Sequence, residues 1–290
     1  MLHAAYSVKF GETVLAGTTN IDSQTNPEVD AAVGIGSQFP QFAVVRSVKP
    51  RIAFQSRAID AALTALGTTG AAISDTDNLV ANYVAMTADG SIGTTGRAYT
   101  LDRGLVMPRQ LQVAHRSDAV LDIEALSYSS DGVASPMAFG AATIAALTRD
   151  NIRHTLKSVT IAGVTFDCNT QVTINFGINA DTLGCDSDLY DTHIIKDSGI
   201  TPTIDVTSYD VEKLEQLTLD GKRGASTIVL RQYDDEGIGF AAGVDANDIT
   251  LTARGIANFQ SHSGQGPQTS SGTIRITCDW DGTNAPLILC

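Results

Sequence analysis

Five histidines and four cysteines are the residues of this chain best suited to hold a metal or act as nucleophiles, and their spacing favours neither role. His3, His115, His154, His193 and His262 are isolated from one another and from any cysteine. A zinc or redox site built locally needs short steps such as Cys-x-x-Cys. Cys168, Cys185, Cys278 and Cys290 all fall in the second half, and even the nearest pair, Cys278 and Cys290, is spaced too widely for that pattern. Cys168 and Cys185 flank alternating segments and could lie on paired strands; in a protein made in the cytoplasm, free buried thiols are the expectation.

Carboxylates cluster at Asp186-Ser187-Asp188 and at Asp279-Trp280-Asp281-Gly282-Thr283-Asn284. Neither cluster continues into the spacing that ends a calcium loop with a bidentate Glu, so both read as turns. Tyr233-Asp234-Asp235-Glu236-Gly237 reads as a solvated hairpin tip. The chain has no Gly-x-x-x-x-Gly-Lys-Ser/Thr, no His-Glu-x-x-His and no Gly-x-Ser-x-Gly. Gly34-Ile35-Gly36 begins like a dinucleotide fingerprint, but Phe39 stands where its third glycine belongs. The expectation is a protein with no catalytic residue, no cofactor and no metal: not an enzyme.

The elements around these residues carry more information, because two stretches read alike. Pro50-Arg51-Ile52-Ala53-Phe54-Gln55-Ser56 matches Pro202-Thr203-Ile204-Asp205-Val206-Thr207-Ser208. Each is a short alternating strand ending at a Ser suited to cap a helix, followed by an amphipathic run that ends at Gly67 or Gly221. Ile59, Leu63 and Leu66 share one helix face, as do Val211, Leu214 and Leu217. Asp210 and Glu212 suit the positive end of the second helix. Collinear matches extend upstream: residues 8–14 with 159–165, Ser37-Gln38-Phe39 with Ser187-Asp188-Leu189, and Val44-Val45-Arg46 with Ile194-Ile195-Lys196. Downstream, residues 120–125 are expected to match 249–253, and 129–132 to match 261–264.

Strand signals dominate elsewhere, at 41–48, 79–86, 109–113, 120–128, 172–176, 226–230, 249–253 and 273–277. Residues 67–72, 89–96 and 261–272 read as flexible Gly-rich loops. The predicted fold is α+β, mainly antiparallel β, with two tandem domains at 1–150 and 151–290. Each would be a β-sandwich or barrel with one flanking helix.

At 290 residues and 43% hydrophobic content, each half can bury its own core. No segment reaches the roughly 18–20 apolar residues of a membrane span, and the N-terminus lacks the pattern of a cleaved secretory signal. The net charge of −13 argues against tight binding to a phosphate backbone. An acidic wall can repel DNA and so let it slide.

Val172-Thr173-Ile174-Asn175-Phe176-Gly177-Ile178-Asn179-Ala180, then Leu183-Gly184, then Asp188-Leu189-Tyr190-Asp191-Thr192-His193 and Pro202-Thr203-Ile204, resemble the tail tube proteins of long-tailed, siphovirus-like bacteriophages. The resemblance covers residues 157–221, and the first half joins through the repeat, departing from the pattern at Asn20-Ile21-Asp22 and in its Gly/Thr insertions. It implies tube domains of β-sandwich or barrel type, duplicated here, forming stacked trimeric (pseudo-hexameric) rings around a negatively charged lumen. DNA would pass through that lumen during ejection without specific binding. The implied partners are further copies and other tail proteins (tape measure, tail terminator, distal tail), with no membrane, in a virion tail assembled in the host cytoplasm. Residues 89–96, 261–272 and 1–17 would then bind the neighbouring ring. Two alternatives stay open: a distal tail or baseplate hub ring of the same lineage, and a β-sandwich surface binding module.

Overall fold

The computed structural model describes residues 2–15, 17–33, 35, 38–40, 42–144, 152–218, 220–233, 248–264, 270–280 and 282–289. The first half runs β1 (Leu2–Phe10), β2 (Thr13–Leu15), β3 (Thr18–Gln24), β4 (Pro27–Ala32), β5 (Phe42–Val48), β6 (Arg51–Ser56), α1 (Ile59–Leu66), β7 (Ala71–Ile73), β8 (Leu79–Met86), β9 (Ile92–Leu101), β10 (Gly104–Ala114), β11 (Val120–Ser127) and β12 (Met137–Thr143). The second runs β13 (His154–Ile161), β14 (Val164–Phe166), β15 (Asn169–Asn175), β16 (Ala180–Leu183), β17 (His193–Lys196), β18 (Thr203–Ser208), a 3-10 helix (Val211–Leu217), β19 (Lys222–Gln232), β20 (Ile249–Ser263), β21 (Ser271–Cys278) and β22 (Leu287–Leu289). All the ladders between these strands are antiparallel, so the mainly antiparallel α+β class holds.

Two layers result. The inner sheet runs β20-β21-β18-β15-β10-β11-β6-β3, so strands of both halves share one hydrogen-bonded surface. The outer layer is β12-β9-β8-β1-β2 in the first half and β19-β13-β14 in the second. β20 belongs to both layers: Ile249–Ala257 pairs with β19, and Gly255–Ser263 pairs with β21. In the first half the corresponding path is interrupted at Asp102-Arg103, between β9 and β10. Between the layers lies one apolar core, in which Leu111, Phe166 and Phe176 are fully buried. Each such side chain contributes about 1.5–3 kcal/mol.

The pairings of the first half recur in the second. The β1–β2 hairpin pairs Val8 with Leu15, and β13–β14 pairs Val159 with Phe166, so the step from Val8 to Val159 relates one half to the other. The bulge between Ala5 and Ser7 has its counterpart between Leu156 and Ser158, and that between Pro108 and Gln110 between Phe259 and Ser261. Bulges re-aim a strand at a defined position, so their shared placement is a stronger signal than shared alternation. β3·β6, β4·β5 and β6·β11 likewise reappear as β15·β18, β16·β17 and β18·β21.

Several sequence expectations need correction. Residues 120–125 correspond not to 249–253 but to the 271–276 stretch: Ile123 pairs with Phe54 as Ile274 pairs with Val206. The pairing of 129–132 with 261–264 falls with it, and the hairpin ladders set Val45 against Lys196 and Phe42 against His193, so the matches of 37–39 with 187–189 and of 44–46 with 194–196 are each out by one residue. Alternation alone cannot choose between two strands of the same period; the partner strand does. Ser56 and Ser208 are not helix caps but the last, buried residues of β6 and β18, and the cap positions are Ala58 and Asp210 without side-chain cap bonds. The second helix is 3-10 rather than α. A run this short gains little from propensity, so the packing of Leu214 and Leu217 sets its geometry. Residues 92–96 are not loop but the start of β9, where Gly96 pairs with Val84 so closely that a Cβ would stand 2.1 Å from the Tyr83 carbonyl oxygen. Residues 71–72, 261–263 and 271–272, also read as loop, belong to β7, β20 and β21.

The helix faces hold: Ile59, Leu63 and Leu66 are buried, as are Leu214 and Leu217. Gly67 ends α1 at φ 66, and Thr218 ends the second helix at φ 60. The expected boundary near residue 150 lies outside the described residues, as do 234–237 of the acidic 233–237 segment. Among the described residues no helix is long and apolar enough to cross a membrane.

Candidate assembly surface

The two halves of the chain meet along one antiparallel ladder. β10 pairs with β15 in the register Gln110–Asn175, Leu111–Ile174, Gln112–Thr173, Val113–Val172 and Ala114–Gln171. Leu111, Val113, Val172 and Ile174 face the core; Gln112 and Gln171 face away. The amide of Phe176 donates to the Arg109 carbonyl at 3.1 Å, and that of His115 to Thr170 at 3.0 Å, prolonging the ladder at both ends.

Beside the ladder, the loop of the β16–β17 hairpin seats on the turn that follows β11. Leu189 and Tyr190 donate backbone bonds to the Gly132 carbonyl at 2.8 and 3.0 Å, and Ser129 donates to the Asp191 carbonyl at 2.7 Å. Gly132, at φ 73, lets the Asp188 carboxylate approach; a Cβ there would lie 2.1 Å from Asp188 Oδ1. Asp191 is 8% exposed, accepts from the Thr182 hydroxyl and pairs with Lys49 Nζ at 3.2 Å. A buried carboxylate partnered from both halves makes the seat specific as well as closed.

The face of the inner sheet turned from the core is polar. It presents Gln55, Gln110, Gln112, Gln171, Thr173 and Thr207 beside charges that neutralise each other in place. Arg275 forms a forked pair with Asp205, and Glu124 accepts from Arg109 Nε at 2.9 Å with Arg51 at 3.5 Å. Asp122, with Gln55 donating at 2.8 Å, and Asp22 leave the face slightly acidic. The fork fixes the Arg275 guanidinium against its carboxylate, and Glu124 holds the guanidinium groups of Arg51 and Arg109.

The two ends of the inner sheet remain unpaired among the described residues. At one end β3 pairs only with β6; at the other, residues 258–263 of β20 pair only with β21. Open edges of this kind template further strands. Near β3 the β4–β5 hairpin exposes Val29, Phe39, Phe42, Val44 and Val45, a density of apolar surface that marks interaction sites.

The residues singled out for chemistry are scattered. His3, His115, His193 and His262 are exposed or half-exposed in different parts of the fold, and His154 is buried at the start of β13. Asp188 closes its own turn, accepting from the Cys185 amide at 2.7 Å. Cys168 and Cys185 are free but exposed, correcting the expectation of burial, while Cys278 is buried and its thiol is pushed up to about 12 by desolvation and Asp279. Cys290 lies outside the described residues. Among the described residues no group of three His, Cys, Asp or Glu side chains converges.

The signal missed in the sequence is Asp131-Gly132-Val133-Ala134-Ser135-Pro136 against Asp281-Gly282-Thr283-Asn284-Ala285-Pro286. The first copy forms the seat of the internal hairpin, and Gly132 and Gly282 both take positive φ. No protein-family model matches the chain, and no curated protein matches it in sequence.

Proposed function

We propose that the chain is a virion structural protein, a duplicated-domain tail tube subunit of a long-tailed bacteriophage that builds stacked trimeric rings. The observation that carries this reading is the shared inner sheet, whose two halves repeat the same pairings and join edge to edge through β10·β15. Such a unit presents two different edges, and unlike surfaces associate head to tail. A head-to-tail arrangement that closes makes a ring and removes the open edges altogether.

The polar face would line the lumen. Amides, hydroxyls and guanidinium groups already held by carboxylates give a DNA backbone little to bind, and the net charge of −13 repels it. Tape measure, tail terminator and distal tail proteins would be its partners at the axis and the ends. No catalytic group is required, and none is assigned.

Electron microscopy of the purified protein tests the reading. Long tubes of even bore with threefold symmetry and sixfold-like density are expected. Discrete rings would instead favour a distal tail or baseplate hub component. A monodisperse monomer at high concentration would defeat the tube reading and favour a surface binding module.

A further inference from the structure

The seat of the β16–β17 hairpin has a counterpart in the second half, where Trp280 stays exposed. Around the second turn, the amide of Asp279 donates to the Arg254 carbonyl at 2.9 Å, as that of Tyr128 donates to Arg103 at 3.4 Å. Gly255 repeats Gly104: a Cβ at either would lie 2.0 Å from a carbonyl oxygen, of Thr277 or Leu126. The two turns therefore leave their strands alike, and the second reaches its glycine one residue sooner, at Gly282. Their surroundings differ. At the first turn Ser129 is 2% exposed, covered by the hairpin; at the second, Trp280 is 67% exposed. Trp280 edges a groove of about 360 Å³ bounded by Arg223, Gly224, Arg254, Gly255 and Asp279.

The matching hairpin is β4–β5, whose ladder runs Val29–Val45 to Ala32–Phe42 where β16–β17 runs Ala180–Lys196 to Leu183–His193. Its Ala31 and Pro40 are exposed, where their counterparts in the seated hairpin, Thr182 and Asp191, are buried. Within one chain the hairpin belongs to the β3 end of the inner sheet and the second turn to the β20 end.

We propose that a second copy of this chain seats its β4–β5 hairpin on the turn around Trp280 and Gly282, and lays its β3 along residues 258–263 of β20. Carrying the internal register across by the step that takes Val8 to Val159 sets the pairs: Gln110–Asn175 becomes Ser261–Gln24, Leu111–Ile174 becomes His262–Ser23, and Gln112–Thr173 becomes Ser263–Asp22. Leu189 against Gly132 becomes Gln38 of one copy against Thr283 of the next. Backbone pairing supplies the geometry, and burial of Trp280, whose counterpart Ser129 is covered in the internal contact, supplies the drive. A second copy is the occupant because this chain already contains the same contact between its own halves. The proposal deepens the ring reading and rests on it only in taking copies to associate.

The test is cross-linking with a short bis-maleimide of a chain carrying Gln38→Cys and Thr283→Cys, in which Cys168, Cys185 and Cys290 are replaced by Ser. A ladder of covalent multimers is expected. Either single variant alone should give no ladder, and a mixture of the two should stop at dimers. Trp280→Glu, with an unchanged circular dichroism spectrum, should weaken association at least tenfold. An assembled protein, shown by native mass spectrometry, that gives no ladder overturns this interface and leaves the tube reading standing. A ladder from particles that never grow into tubes supports the interface and defeats the tube reading. A protein that stays monomeric at every concentration overturns both.

Discussion

Gly104 and Gly255 occupy equivalent positions in the two halves and do the same work: each brings its strand against a neighbouring carbonyl, of Leu126 or Thr277, at a distance that leaves 2.0 Å for a Cβ. Both open the stretch that pairs with the next inner strand, Gly104 opposite Ser127 and Gly255 opposite Cys278. Gly104→Ala and Gly255→Ala should each destabilise the fold by roughly 2–3 kcal/mol, since backbone must shift to admit the methyl group. Gly140→Ala, where nothing lies within 4 Å, should be close to neutral. Urea unfolding of the three variants checks this; near-equality of all three would refute it.

Asp210 ties the second helix to the turn between β14 and β15. Burial alone would raise its pKa, but the amides of Asp167 and Cys168, with Lys213 nearby, hold it below the usual carboxylate value. A depressed folded pKa means stability that is fully present above the unfolded value of about 4 and is lost as pH falls through the lower folded value. Asp210→Asn should therefore flatten the loss of stability below about pH 4. Denaturant midpoints for both proteins across that range provide the measurement.

The thiols should sort by burial and by charge. In a Cys290→Ser protein, Cys168 and Cys185 should react with a maleimide in the folded state, and Cys278 only after unfolding. Cys168 should be the slower of the exposed pair, because Asp210 raises its pKa and reduces its thiolate. Mass spectrometry of timed labelling gives the order directly, and early modification of Cys278 would contradict the packing of β21.

Glu124 lies where Arg51 and Arg109 meet, and Arg109 also donates to the Ile178 carbonyl across the junction of the halves. Glu124→Gln removes the charge that holds both guanidinium groups. A loss of about 1–2 kcal/mol in stability is expected. If the polar face lines a DNA conduit, the freed arginines should also make assembled tubes retain DNA at low salt, and unchanged retention would argue against that placement.

The helix faces were legible because the helical period of Ile59, Leu63 and Leu66 is written in adjacent turns, and Gly67 marks the end. The β6 and β18 strands were legible from alternation between Pro and Ser. What alternation could not supply was the neighbour: residues 120–125 match 249–253 as well as 271–276 by pattern, and only the ladders to β6 and β18 separate them. The start of β9 was misread as loop because its glycines, which suggest freedom, are there for close approach to Tyr83 and Ala85. The second copy of the turn at Asp281-Gly282 was visible as letters, yet its meaning came from seeing what the first copy receives.

The sequence by itself determined the class of the fold and the two helix positions, since period, turn residues and spacing are local properties of the chain. Tertiary structure alone decided the order of strands in the inner sheet, the shared positions of the bulges and which edges stay open. Those depend on hydrogen bonds between residues far apart in the chain, and no local pattern encodes which of several similar strands will be the partner.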